Sequence, residues 1–164
     1  MNKETYASLM NSIKSRPKLA EFVIFANKVT TYVVYVVFSI FMASLLIRKD
    51  DRFLRILLTT AISFFIVSVF RKIYNKERPY EKFDTKSVIE KDKKGNSFPS
   101  RHVFSTFVIA VACLYVNLIL GMIMIVVSVC IAILRVIGGV HYISDVVAGA
   151  IIGVLSGIIG LYLI

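Results

Sequence analysis

The sequence predicts an all-α, polytopic membrane helix bundle with about five transmembrane helices, preceded by an amphipathic helix at the membrane interface. Three observations predict it. The 164 residues are 57% hydrophobic with a mean hydropathy of +0.77, too apolar for a soluble domain of this size. The apolar residues fall into runs of span length separated by polar turns. The ionisable residues flanking those runs gather at one membrane face, where charge beside hydrocarbon is costly enough to imply a task.

In chain order, Met1–Lys28 interleaves Leu9, Met10, Ile13, Leu19, Phe22, Val23 and Phe25 with Lys3, Lys14, Arg16, Lys18 and Lys28. That pattern predicts amphipathic helix broken near Pro17 and lying on the interface, and its polar start predicts no cleavable signal peptide. Val29–Ile47 is the first span, long enough as helix (~28 Å) to cross the hydrocarbon layer. Arg48–Arg52 is a turn, and Phe53–Phe70 is the second span, with Arg55 placed to snorkel. Arg71–Arg101 is the one long polar segment. Val103–Leu120 is the third span, Gly121 a tight turn, Met122–Ile137 the fourth span, and Val146–Ile164 the fifth. Gly149, Gly153 and Gly157 recur every fourth residue, a small face for packing against a neighbouring helix of the same chain or across a homodimer seam. Cys113 and Cys130 both lie in apolar runs and read as space-fillers, with no disulfide or metal framework. The whole chain, residues 1–164, reads as one domain.

Lys and Arg total 20 against 10 Asp and Glu, a net charge of +10. On a membrane protein this excess serves topology, anionic headgroups or a phosphate-bearing substrate. The expected partners are therefore the bilayer and a membrane lipid, not nucleic acid.

Counting crossings brings the polar clusters together. Arg71 and Arg78 follow the second span, Ser100, Arg101 and His102 precede the third, and the third and fourth spans form a hairpin. Arg135, His141 and Asp145 therefore return to the same face as His102. The segment Gly95–His102 opens a helix, with Pro99 suited to its first turn. Free N–H groups and the helix dipole there favour a bound phosphate. Ser100 adds a hydroxyl, and Arg71, Arg78 and Arg135 supply guanidinium forks. His141 and Asp145 are four apart and share a helical face. Asp145 is then placed to accept from one ring nitrogen of His141, freeing the other to attack phosphorus. His102 is placed to protonate the leaving oxygen and later to deprotonate water.

Arg71-x6-Arg78-Pro79, Pro99-Ser100-Arg101-His102 and Arg135-x5-His141-x3-Asp145 together resemble the tripartite signature of the type 2 phosphatidic acid phosphatase (PAP2) superfamily over residues 54–160. The resemblance implies an integral-membrane, metal-independent phosphatase that needs no cofactor. It implies His141 as the nucleophile of a phosphohistidine intermediate, Asp145 as its orienting partner and His102 as the general acid. Arg71, Arg78, Ser100 and Arg135 would bind phosphate, with Lys72 sharing the role of Arg71. Bacterial relatives act on undecaprenyl diphosphate, phosphatidylglycerophosphate or phosphatidic acid.

Three positions depart from the pattern: Arg71 stands where the family usually has lysine, Arg101 where it has glycine, and Leu134 where it has serine. Arg101 is expected to meet a second phosphate or a headgroup. A catalytically silent protein that binds anionic lipid is the alternative, which the retained His102, His141 and Asp145 oppose. Sidedness is read two ways. The motif face carries 16 of the 20 basic residues, which alone would place it in the cytoplasm. The short basic turn Arg48–Arg52 and the family resemblance place the motif face outside a bacterial plasma membrane, and this is the expectation adopted. Labelling single cysteines at Asp50 and within Glu90–Lys94 separates the two.

Overall fold

The structure, a computed structural model, describes residues 2–91 and 93–164. Met1 of the amphipathic segment and Asp92 of the charged stretch Glu90–Lys94 lie outside the described residues. The elements are α1 (Lys3–Lys14), α2 (Pro17–Ile47), α3 (Arg52–Tyr74), the short α4 (Pro79–Lys82), α5 (Arg101–Val116), α6 (Leu118–Ile137) and α7 (Ile143–Ile158), which continues into a π-helical turn (Ile159–Leu163). Four of the helices, α2, α3, α6 and α7 with its extension, are long and apolar enough to cross a membrane, and the shorter apolar α5 stands among them. The polytopic helical bundle follows as expected.

The outer helices are built to face lipid. In α2 only Val23, Val34, Phe41 and Leu45 are buried out of 31 residues, and many of its aromatic and aliphatic side chains, such as Phe22, Phe25, Tyr32 and Ile40, are exposed. Backbone groups pair within each helix, which lets an apolar helix surface meet the bilayer. α5 is the opposite case. Nine of its 16 residues are buried, and it packs against α2, α3, α6 and α7.

The glycine row of α7 explains that central position. A methyl group at Gly149 would lie 2.7 Å from the Ser100 carbonyl oxygen, and one at Gly153 2.6 Å from that of Phe104. Side-chain-free backbone on α7 therefore lies directly on α5, the intrachain contact of the two expected for this face. One consequence is chemical: Ser100 N donates to the Asp145 carbonyl at 2.8 Å, joining the start of α5 to the start of α7.

Several boundaries differ from the sequence reading. The helix breaks near Pro17 as expected, between Lys14 and Pro17. But Pro17 begins the long α2, where a missing N–H costs nothing in a first turn, so the residues after it belong to a span and not to an interfacial helix. The first span is thus continuous from Pro17, and the amphipathic segment ends at Lys14. The turn after α5 is at Asn117, not Gly121. Asn117 Oδ1 accepts from Leu120 N at 2.9 Å and caps α6. Gly121 instead lies inside α6, where a Cβ would come within 2.4 Å of Leu114. Pro99 falls just outside α5, whose N-cap is Ser100.

α1 is amphipathic as expected, and its apolar face is covered by protein. Tyr6, Met10 and Ile13 pack with Phe83, Val88, Ile89, Leu134 and Val140. Tyr6 Oη also donates to the Gly139 carbonyl at 2.9 Å.

If the α5–α7 contact organises the bundle, Gly153→Leu should destabilise the protein by at least about 1–3 kcal/mol through overpacking. The lipid-facing Leu155→Ala should change little. Thermal unfolding of both variants in detergent checks this, and an unmoved midpoint for Gly153→Leu would contradict the packing described.

Candidate active site

Three segments meet at the membrane face where α3 and α6 end and α5 and α7 begin. α3 stops at Asn75, which adopts a left-handed conformation (φ 41), and the chain turns back through α4. α6 stops at Gly138-Gly139. Gly139 has φ +77, and a Cβ there would meet Met10 and Tyr6 of α1. The turn is closed by Val140 N and His141 N, which both donate to the Arg135 carbonyl at 3.2 and 3.3 Å. This places His141 beneath the start of α7, where Asp145 occupies the third helical position.

Asp145 has no exposed surface. Its Oδ1 pairs with Lys76 Nζ at 2.7 Å. Its Oδ2 accepts from Ser97 Oγ and from Tyr142 N at 3.2 Å. His141 Nδ1 lies 3.6 Å from the same oxygen, an ion-pair separation longer than a hydrogen bond. Ser97 Oγ is 3.4 Å from that ring nitrogen and so bridges the pair. With Nδ1 facing Ser97 and the carboxylate, Nε2 is the nitrogen available for chemistry. Burial lowers the pKa of His141 to about 4, with Arg78 and Arg135 acting in the same direction and Asp145 opposing. The imidazole is therefore neutral at physiological pH, as a nucleophile requires.

The cations divide into two kinds. Arg71 is buried and its guanidinium is engaged by backbone. It donates to the Ser97 carbonyl at 3.3 Å and to the carbonyls of Pro99 and Asn96. Arg78 is equally buried and donates from Nε to the Gly95 carbonyl at 2.9 Å. These two arginines shape the loop that leads into α5. Arg135 differs. It is 1% exposed, and its Nε and Nη1 have no partner, nor does the fully buried Ser100 Oγ. A buried guanidinium without a counter-charge is strongly unfavourable. Ser100 provides no side-chain cap to α5, so the first N–H groups of that helix also lack an intrahelical acceptor. Unpaired donors beside a helix start are the kind of group that an anion can satisfy.

His102 is half-buried on the first turn of α5, where burial first, then the charges of Arg135, Lys91 and His141, hold its pKa well below the usual imidazole value. A bound anion that offsets those charges is what would let it carry a proton. Lys72 is exposed and borders a basic cavity shared with Arg71 and Arg78. Arg101 is exposed, with its guanidinium 5.6 Å from the centroid of the Phe64 ring. Leu134 is buried in the apolar cluster beneath α1.

The sequence reading missed Ser97, Lys76 and Lys91. Lys76 fixes Asp145 while lying over the rings of Phe98 and Tyr142 at 5.2 and 4.7 Å. Lys91 belongs to a strap pinned to the α6–α7 turn by Ile89 N donating to the Gly138 carbonyl at 3.0 Å. Burial first, then the charges of Arg135 and Arg78, lower its pKa to about 8.

The sequence profile of the PAP2 superfamily matches residues 52–164. The chain belongs to the PAP2 superfamily. No curated relative matches it by sequence. Among solved structures, it is similar to Aquifex aeolicus LpxE, with a TM-score of 0.75 and 26% identity over 98% of this chain and 94% of that one. It is also similar in fold to the first transmembrane PAP2 type phosphatidylglycerolphosphate phosphatase from Bacillus subtilis. There the TM-score is 0.72 and the identity 21%, over 96% of this chain and 83% of that one. Within the PAP2 pattern, the arginine at position 71 has a local rationale. Its planar fork reaches several carbonyls of one loop at once, which a lysine ammonium would do less well.

Lys91 supplies a test of the anion site. Its lowered pKa keeps it charged below about 8 and neutral above. Phosphate affinity, measured by calorimetry on the purified protein, should therefore weaken as pH rises through that value. Lys91→Gln should bind more weakly at pH 7 and lose that slope; a slope retained in the variant would remove Lys91 from the site.

Proposed function

We propose that this membrane protein is a metal-independent lipid phosphatase. Its substrate is a lipid phosphate or lipid diphosphate of the phosphatidic acid, phosphatidylglycerophosphate or undecaprenyl diphosphate type, hydrolysed through a phosphohistidine. One observation carries the reading: the partnerless donors of Arg135 and Ser100 lie buried beside a neutral His141 that is backed by Asp145. Family membership and the lipid phosphate named for the Bacillus subtilis neighbour support it.

In the first step a phosphate oxygen is held by Arg135, Ser100 and the α5 amides while His141 Nε2 attacks phosphorus. The N–P bond forms as the bond to the leaving oxygen breaks, and His102 gives that oxygen a proton. In the second step His102 takes a proton from water, whose oxygen displaces His141 and releases inorganic phosphate. Asp145 stabilises the imidazole as it gains positive charge, and Lys76 and Ser97 keep the carboxylate in place. Positioning and charge stabilisation supply most of the acceleration in phosphoryl transfer.

Phosphate release from phosphatidic acid and undecaprenyl diphosphate should fall by roughly 10⁴-fold or more in His141→Ala. The expected loss in His102→Asn is about 10²- to 10⁴-fold. A chelator should leave the wild-type rate unchanged. Because burial depresses His141 from 6.5 to about 4, its neutral form persists down to that pH. The acid limb of kcat/KM that reports the nucleophile therefore lies near 4 rather than 6.5. Equal release by His141→Ala would overturn the mechanism and favour the silent lipid-binding alternative.

A further inference from the structure

Arg101 is a cation that the mechanism above does not use. It stands where the PAP2 pattern has glycine, so its side chain is an addition to the site. Among the described residues it takes part in no ion pair: the three salt bridges belong to Arg52, Lys76 and His141. Its guanidinium lies against the ring of Phe64, 5.6 Å from the centroid, a cation–π distance. Phe64 is seven residues before Arg71 on α3, about 10 Å of helix deeper into the membrane. The guanidinium therefore sits on the lipid side of the arginine cluster.

Two cavities meet at this side chain. One is apolar, about 160 Å³, and runs between α2, α3, α5 and α6 past Val34, Ile109 and Ile131, with His102 in its wall. The other is about 440 Å³ and borders Arg71, Lys72, Arg78, Lys93 and Lys94, with no acidic side chain among its described lining residues. Arg101 is common to both walls. The apolar cavity has room for the first few carbons of an acyl or prenyl chain whose remainder stays in lipid, and the unpartnered donors of Arg135 and Ser100 suit the scissile phosphate. His102 and Arg101 both line the apolar cavity, so a lipid held there lies beside them.

We infer that Arg101 binds a second phosphate lying between the scissile bond and the lipid tail, and so selects lipids that carry two phosphates over those that carry one. This rests on the phosphatase reading. Two chemistries supply such a group: a prenyl diphosphate, where it is bonded directly to the scissile phosphate, and a glycerophospholipid phosphate, where a phosphodiester lies farther along. With a diphosphate, the His141 N–P bond forms as the bridging P–O bond breaks. The electron pair leaves on the lipid monophosphate, and its added negative charge develops beside Arg101. Lys93 and Lys94 give the same pocket a positive potential.

The test is kcat/KM of the full-length protein on undecaprenyl diphosphate, phosphatidylglycerophosphate and phosphatidic acid. Arg101→Gly restores the family residue, and Arg101→Gln keeps length without charge and guards against a folding defect in the glycine variant. The ratio of kcat/KM on a two-phosphate lipid to that on phosphatidic acid should fall roughly 10- to 100-fold in both variants. A fall confined to one two-phosphate lipid identifies which of the two chemistries Arg101 reads. An unmoved ratio in active variants would overturn this inference alone. Hydrolysis of none of the three lipids by the wild-type protein would overturn it together with the phosphatase reading.

Discussion

The carboxylate of Asp145 is the tie on which the rest of the site depends. It has no exposed surface, yet it binds Lys76 from the segment after α3, Ser97 from the loop before α5, and the backbone of Tyr142. Its own carbonyl accepts from Ser100 N. Three separate stretches of chain are thus fixed to one residue on the first turn of α7. A charge so buried is tolerable only because each oxygen is paired. Removing one partner would leave a costly anion and would also release the stretch that carries His141 or the loop that carries Ser100. The glycine face of α7 allows α5 and α7 to come close enough for this tie to form.

The same accounting of buried charge separates structure from chemistry among the arginines. Arg71 and Arg78 give their hydrogen bonds to loop carbonyls, so their charge contributes to the local potential while their geometry holds the loop. Arg135 keeps donors unpaired. In a bundle whose exterior is hydrocarbon, a buried guanidinium with open donors is costly, and the proposed bound phosphate would offset that cost. An apolar cavity between the helices has His102 and Arg101 in its wall, so these two side chains face the lipid side of the protein.

Much of this was legible in the sequence, and the reason is locality. Arg135, His141 and Asp145 lie within one turn and one helix start, and their placement together follows from spacing. The convergence of His102 with His141 followed from counting crossings. Ser97 and Lys76 were not legible, because they reach Asp145 across 48 and 69 residues, and nothing local marks a serine or a lysine in a polar loop as its partner. Gly121 misled for a related reason. A glycine in an apolar run reads as a turn, whereas its role is close approach to Leu114, and the turn belongs to Asn117, whose side chain caps α6. Pro17 marks the break between α1 and α2 as read, but its position does not say that the helix it begins is already the first span. The covering of α1 by the strap residues Val88 and Ile89 was likewise invisible, since amphipathicity does not say whether lipid or protein covers the apolar face.

The account turns on His141 Nε2 becoming bonded to phosphorus. The most direct measurement is rapid acid-free quenching of the purified protein during turnover of a phosphate-labelled lipid, followed by peptide mapping. The account predicts a base-stable, acid-labile phosphoryl group on His141, accumulating further when His102→Asn slows its hydrolysis. Turnover with no phosphorylated His141 in either protein, or a phosphoryl group mapped to a different residue, would contradict it.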